Sequence, residues 1–270
     1  LRTLHGSTNL RNLNLPTLYY RYRVGIMITC HIQGGLGNQL FQIAAGASLA
    51  NRLGVEFALH EGQHFLPYQG NNINSYRETI LKNIKFKDLS ASNFSVHRWD
   101  SPSYLQIPEK DNQALIGYFQ SEKYFMDWNQ GVKDLFCIPK VEMPEGSVAI
   151  HVRRGDYLKF PGIHNVLGAD YYDQALRRIK DYSCVYIFTD SDVPFELNIP
   201  NKTIISEGTD IEHISMMSNC SHNIIANSTF SWWAAYLNNN DNQVIAPKQW
   251  FGPKGPQGWK DIYCEGWEEV

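Results

Sequence analysis

The stretch "SVAIHVRRGDY", residues 147–157, decides how this chain folds. Its first six residues form an almost unbroken apolar run, the pattern of a strand buried in a sheet. The run ends with Arg153 and Arg154 side by side, followed at once by Gly155 and Asp156. Two permanent positive charges at the end of a buried strand call for something negative beside them. Neighbouring residues of an extended chain point to opposite faces, so one arginine enters a ligand site easily. The other is then free to brace the loop against a carboxylate. An arginine fork matches phosphate oxygens two at a time, and Gly155 lets the backbone come close to a ligand. The plain structural alternative is an exposed strand end carrying a surface ion pair.

Working outward, the C-terminal side alternates short apolar runs with helical periodicity. "ADYYDQALRRIKDY" predicts a helix with Tyr172, Ala175, Leu176 and Ile179 on its apolar face, and "CVYIFTD" predicts the next strand. "DIEHISMMSNC" then reads as a helix, "HNIIAN" as a strand, "STFSWWAAYLN" as a helix and "NQVIAP" as a last strand. Such alternation implies a parallel, doubly wound sheet. On the N-terminal side, "MITCHIQ" reads as a strand, "GGLGN" as a turn and "QLFQIAAGASLANRLG" as a helix ending at Gly54. "VEFALH" predicts a second strand, residues 61–110 resist assignment, and "ALIGYFQSEKYF" predicts a strand and then a helix reaching about Phe136. The prolines and glycine of "IPKVEMPEGS", 138–147, mark a linker. The organisation expected is α/β, with two Rossmann-like domains, 27–140 and 147–270, facing a cleft. Residues 1–26 are expected to be an N-terminal extension or cloning remnant outside the fold.

Totals limit the function. A length of 270 residues suits two modest domains, and a formal charge of −3 excludes a general nucleic-acid binder, which needs a basic surface. No segment approaches about 18 uninterrupted apolar residues, so no membrane span is expected. Residues 1–26 lack the apolar core of a signal peptide. The five cysteines show neither metal-ligand spacing nor a paired framework, which suits a reducing compartment. The expected location is therefore cytoplasmic.

Ligands of open α/β sheets bind beyond the carboxyl ends of the strands, so three further junctions matter. In "YIFTDSD", 186–192, Asp190 follows a strand directly, where it either binds a ribose or base or caps the next helix. In "NSTFSWW", 227–233, the hydroxyls of Ser228, Thr229 and Ser231 gather at a helix start. Free N–H groups and the helix dipole favour an anion there; Trp232 and Trp233 read as core. "GGLGNQ", 34–39, brings Gly35, Asn38 and Gln39 to a strand–helix junction facing the cleft, but matches neither a dinucleotide fingerprint nor a P-loop. Together these signals fit a nucleotide diphosphate held by protein groups rather than by a metal.

"GGLGNQLFQIAAG", "HVRRGDYL", "YIFTDSD" and "NSTFSWWAAYL", in this order from Met27 to near Lys248, resemble the bacterial alpha-1,2-fucosyltransferase family, relatives of the animal H-antigen enzymes. The resemblance implies a GT-B fold, GDP-β-L-fucose as donor, transfer to the 2-hydroxyl of a galactoside with inversion, and no metal or other cofactor. It assigns the pyrophosphate to Arg153, with Arg154 as the alternative, and puts His151 near the guanosine. Gly155 and Asp190 fall on the donor side, and Ser228, Thr229 and Ser231 near the phosphates. Asp156 is the local candidate for a base, or else orients the arginines; His31 and Glu61 are further candidates. The partners implied are GDP-fucose and a galactose-terminated oligosaccharide or lipid-linked glycan, with peripheral contact at the inner membrane face. Another GDP-sugar transferase, a protein O-fucosyltransferase and a non-catalytic sugar-binding module are the competing readings.

Overall fold

A computed structural model of the chain describes residues 25–62, 72–191, 197, 199–240 and 242–270. Nearly all of the expected extension, and Asp192, lie outside the described residues. The first half runs β1 (Met27–His31), α1 (Leu36–Leu53), β2 (Glu56–Phe57), β3 (Leu59–His60), β4 (Phe86–Lys87), β5 (Ser95–Trp99), β6 (Gln113–Gly117) and α2 (Asn129–Leu135). The second runs β7 (Ser147–Val152), α3 (Ala169–Leu176), β8 (Cys184–Thr189), β9 (Lys202–Ile205), α4 (Asp210–Asn219), β10 (His222–Ile224), α5 (Thr229–Tyr236), β11 (Val244–Ala246) and β12 (Glu268–Glu269).

Two parallel sheets result, ordered β2-β1-β6-β5 and β12-β11-β10-β7-β8-β9. All six residues of β7 are buried, as its apolar run requires, because it lies inside the larger sheet between β8 and β10. The chain leaves β7 towards β8 and β9, then returns through α4 to β10 on the other side of β7. That reversal opens a crevice beyond the carboxyl ends of β7 and β10, where ligands of such sheets bind. The smaller sheet repeats the device: α1 carries the chain from β1 to β2 on one side, and β6 lies on the other. The molecule is thus α/β and GT-B-like, with two crevices opening onto one cleft.

Several expected elements differ in extent. "VEFALH" is two short strands, because Leu59–His60 leaves the first sheet to pair with Phe86–Lys87. The segment after β6 forms two 3-10 turns, Glu122–Tyr124 and Met126–Trp128, before the seven-residue α2. Helix α3 ends at Leu176 rather than near Tyr182. The chain tightens there into Arg178→Ala175 and Ile179→Leu176 backbone bonds and reverses at Asp181, whose φ is 54°, to enter β8. "NQVIAP" is followed by one more strand, β12. Strands β5, β9 and β12 carry no run of buried apolar residues because they are sheet edges, where even Val96 and Ile204 stay exposed beside polar and charged side chains.

The core joins the two halves. Phe41 of α1 lies 4.4 Å from the Trp232 ring and 5.1 Å from the Trp233 ring of α5, and Phe125 stacks on Trp233 at 5.6 Å. All four side chains are fully buried. Helices α1 and α5 meet at their first turns: a Cβ on Gly37 would sit 2.3 Å from the Thr229 carbonyl carbon.

Candidate active site

The two crevices form one cavity of about 780 Å³. The loop after β1 and the first turn of α1 contribute Gly34, Gly35, Gly37 and Asn38, and Tyr118 comes from the end of β6. Facing them are His151, Arg153, Asp156 and Tyr157 from β7 and its loop, Thr189 and Asp190 after β8, and Ser228 to Phe230 at the start of α5.

Arg153 is the charged centre. One guanidinium nitrogen lies 2.6 Å from Asp190 Oδ2 and another 2.5 Å from Asp156 Oδ1. Asp190 also accepts the backbone N–H groups of Arg154 and Gly155 through Oδ1, at 2.9 and 3.2 Å. Its carboxylate therefore fixes both the loop and the arginine while still lining the cavity. Gly155 is required by the same arrangement, since a Cβ there would lie 2.5 Å from Asp190 Oδ2. Asp156 is the brace that its spacing allows rather than a free base. Arg153 keeps about a third of its side chain exposed to the cleft, while Arg154 does not line it.

His151 is buried to 6% exposure, and its Nδ1 has no hydrogen-bond partner among the described residues. Burial, reinforced by the Arg153 cation, holds its imidazole down to about 3, so the ring is neutral at physiological pH. At the start of α5 the Ser228 hydroxyl makes no capping bond, and Ser228 lines the cavity beside the first turn, whose N–H groups have no partner within the helix. Thr229 Oγ1 donates to Asn38 Oδ1 at 3.0 Å, and Gln120 Nε2 donates to the same oxygen at 2.8 Å. Asn38 thereby latches the two halves across the cleft.

Four expected site residues fall elsewhere. Ser231 is fully buried, with its hydroxyl turned to the Ser228 carbonyl at 3.1 Å, so it stabilises α5 instead of meeting a ligand. Gln39 is buried in the first turn of α1, donating to the Gly34 carbonyl at 2.9 Å. His31 and Glu61 are exposed and line no part of the cavity. Residues that sequence patterns did not single out stand in the wall: Tyr157, His164, His213 and Phe230. Tyr157 donates from its hydroxyl to the Asn227 carbonyl at 2.8 Å and stacks on His164 at 4.0 Å with 9° between the planes. Tyr157 adjoins the arginine pair, and its nearness to that motif was the one available signal. His164 lies in a Gly/Pro loop without periodicity. Among the described residues no group of three or more His, Cys, Asp or Glu side chains is placed to hold a metal ion.

Residues 8–270 match the profile of glycosyl transferase family 11. An O-antigen biosynthesis glycosyltransferase, WbnK, of Escherichia coli is 28% identical, over 83% of this chain and 95% of its own. An alpha-1,2-colitosyltransferase of Escherichia coli is also 28% identical, over 83% and 92%. A galactoside 2-alpha-L-fucosyltransferase of Bos taurus is 24% identical, over 82% and 67%. A cleft between two parallel sheets, a braced arginine at the switch point of one of them, and a family match spanning almost the whole sequence agree: this chain is an enzyme that belongs to glycosyl transferase family 11.

Proposed function

We propose that this glycosyltransferase moves L-fucose from GDP-β-L-fucose to the 2-hydroxyl of a terminal galactoside, inverting the anomeric centre to give an alpha-1,2 linkage. The observation that carries the reading is Arg153, clamped by Asp156 and Asp190 at the mouth of β7 in the cavity that Ser228 also lines. As the anomeric C–O bond breaks, negative charge grows on the β-phosphate oxygen. A cation already fixed there stabilises the transition state more than the ground state, without reorganisation. The α5 N-terminus supplies further donors to the diphosphate. Neutral His151 and the cavity wall towards Phe188 and His213 receive the guanosine. Inversion requires the acceptor oxygen to attack from the face opposite the diphosphate, that is, from the side of Asn38 and Tyr118.

The donor site is assigned to protein groups, with no metal needed. The relative named for O-antigen biosynthesis favours a lipid-linked polysaccharide precursor as acceptor, met at the cytoplasmic face of the inner membrane. Among the described residues no helix is long and apolar enough to cross a membrane, so contact there is peripheral in this reading. The colitosyl relative favours one second reading, the same transfer with a different sugar.

The test is calorimetric titration of GDP and GDP-fucose, with and without EDTA, on the wild type and Arg153→Ala, followed by transfer to lactose. The expected result is EDTA-insensitive GDP binding that weakens at least about tenfold in R153A. Its kcat should fall by roughly 10²–10³, or about 3–4 kcal/mol, the usual loss for one transition-state donor. Binding indifferent to R153A, or abolished by EDTA, would refute the donor site. Transfer from another nucleotide sugar in preference to GDP-fucose would select the second reading.

A further inference from the structure

Beside the main cavity lies a second chamber of about 300 Å³. Its walls are partly apolar, with Pro102, Ile163, Trp250, Phe251 and Pro256, and partly polar, with Asp100, Ser101 and Gln120. Rings and prolines meet the C–H faces of a pyranose, while carboxylate and amide groups meet its hydroxyls. Five residues line both cavities and so form the passage between them: Asn38, Tyr118, Tyr157, His164 and Thr229. An acceptor hydroxyl that reaches the anomeric carbon gives up its proton at this passage, which makes these five residues the place to look for a proton acceptor.

Three of the five have ionisable side chains, and two of these are poor proton acceptors. Burial, then the carboxylate of Asp100, raises the Tyr118 phenol, and burial pushes Tyr157 up to about 12. Tyr157 also has its proton committed to the Asn227 carbonyl. The carboxylates of the main cavity are already engaged: Asp156 and Asp190 with Arg153, and Asp210 with the Tyr76 hydroxyl at 2.5 Å. Asp100 is exposed, sits 3.7 Å from Arg98 and lines the second chamber without reaching the passage. His164 is half-buried and pinned in place: its backbone bridges to Phe251 and its ring lies flat on Tyr157. Neither ring nitrogen is hydrogen-bonded to any described residue.

Resting on the transfer reading above, we propose that His164 is the general base of the reaction and that the second chamber seats the acceptor sugar. The acceptor oxygen forms its bond to the anomeric carbon while the carbon–phosphate oxygen bond breaks. The electron pair of that bond leaves with the diphosphate towards Arg153, and the hydroxyl proton passes to a ring nitrogen of His164. Burial outweighs the upward pull of the Asp156 carboxylate and, with a smaller push from the Arg153 cation, keeps the resting imidazole below its ordinary value and hence neutral near pH 7. Once protonated, the imidazolium is held by the nearby Asp156 carboxylate. The charged and titratable groups around it are Asp156, Arg153 and Tyr157, with Lys254 on the adjoining loop, bonded through its backbone to Gly162.

The test compares wild type, His164→Phe and Asp100→Asn in GDP-fucose transfer to lactose, with kcat followed from pH 4.5 to 8.5 and GDP binding measured in parallel. Phenylalanine keeps the stack on Tyr157 and removes the proton acceptor, so it separates chemistry from packing. In H164F, kcat should fall by roughly 10²–10⁴, as for loss of a general base, with GDP affinity within about twofold of wild type. The acidic limb of the wild-type profile, which lies below pH 6.5, should vanish. Near-normal kcat in H164F, an acidic limb that survives it, or a limb lost in D100N instead would overturn the assignment while leaving the transfer reading intact. A wild type that binds GDP but transfers no fucose to any galactoside would overturn both.

Discussion

At the residue scale, His151 shows how far the cleft departs from what its residue types would do in water. Its imidazole is held neutral by burial and by Arg153, with a folded value of about 3 against an ordinary 6.5. The unfolded chain therefore binds one more proton than the folded one between those values. The stability this ring contributes is complete above pH 6.5 and is lost as pH falls towards 3, with a slope of up to about 1.4 kcal/mol per pH unit. Denaturant midpoints taken from pH 7 down to pH 4 should fall accordingly. The slope should flatten in His151→Gln by this one proton, and a parallel slope in that variant would show that other groups control acid unfolding. Asp190 teaches a second lesson at this scale. A carboxylate after a strand can bind a ligand or brace the site around it, and the bracing by Asp190 is visible only in the positions of Arg153 and the 154–155 backbone.

At the element scale, the cleft depends on α1 and α5 meeting at their first turns. Gly37 permits the contact: any side chain there would strike the Thr229 and Phe230 backbone at 2.3 and 2.4 Å. Gly35, two residues earlier, has nothing within 4 Å of its notional Cβ and a φ of −69°, so it tolerates alanine. Gly37→Ala should thus cost about 1–3 kcal/mol through overpacking, and it should displace the Asn38 latch, whereas Gly35→Ala should stay within about 0.5 kcal/mol. Thermal melts of the two variants side by side check this; equal melting temperatures would mean that the helices separate freely. The "GGLGN" segment accordingly has two functions that its composition does not distinguish, a turn at Gly34 with φ 81° and a close helix contact at Gly37.

At the scale of the whole molecule, one aromatic cluster unites both sheets. Phe41 and Phe125 come from the first half of the chain, Trp232 and Trp233 from the second, and all are fully buried. The two crevices are aligned because this core lies behind them, so cleft geometry and global stability share the same side chains. Trp233→Ala should destabilise the protein by about 3–5 kcal/mol. Probes in either half should still report a single unfolding transition, with a lower midpoint. Two separated transitions in the wild type would show instead that the halves fold independently and that the shared cluster contributes little.

Much of this was readable from residues alone. The apolar run of β7, its terminal arginines, the helix periodicities of α1 and α4 and the hydroxyls before Trp232 are local patterns. They follow from the strand and helix repeats and from what a strand end presents to a ligand. The edge strands β5, β9 and β12 escaped notice because burial writes the apolar signature and edges are little buried. Which polar residues enter the cleft was a different matter. Ser228 and Ser231 lie one helical turn apart with the same chemistry, yet Ser228 faces the cavity and Ser231 bonds back to the Ser228 carbonyl. His164 stands between two cavities because its loop is held by Phe251, 87 residues further along the chain. The sequence by itself determined the layered architecture and the placing of an arginine at the end of a buried strand, since both rest on interactions between neighbours in the chain. Tertiary structure alone decided which carboxylates became braces, which serine lines the cavity and which histidine stands between the two cavities. Those outcomes depend on long-range contacts, and no local repeat encodes them.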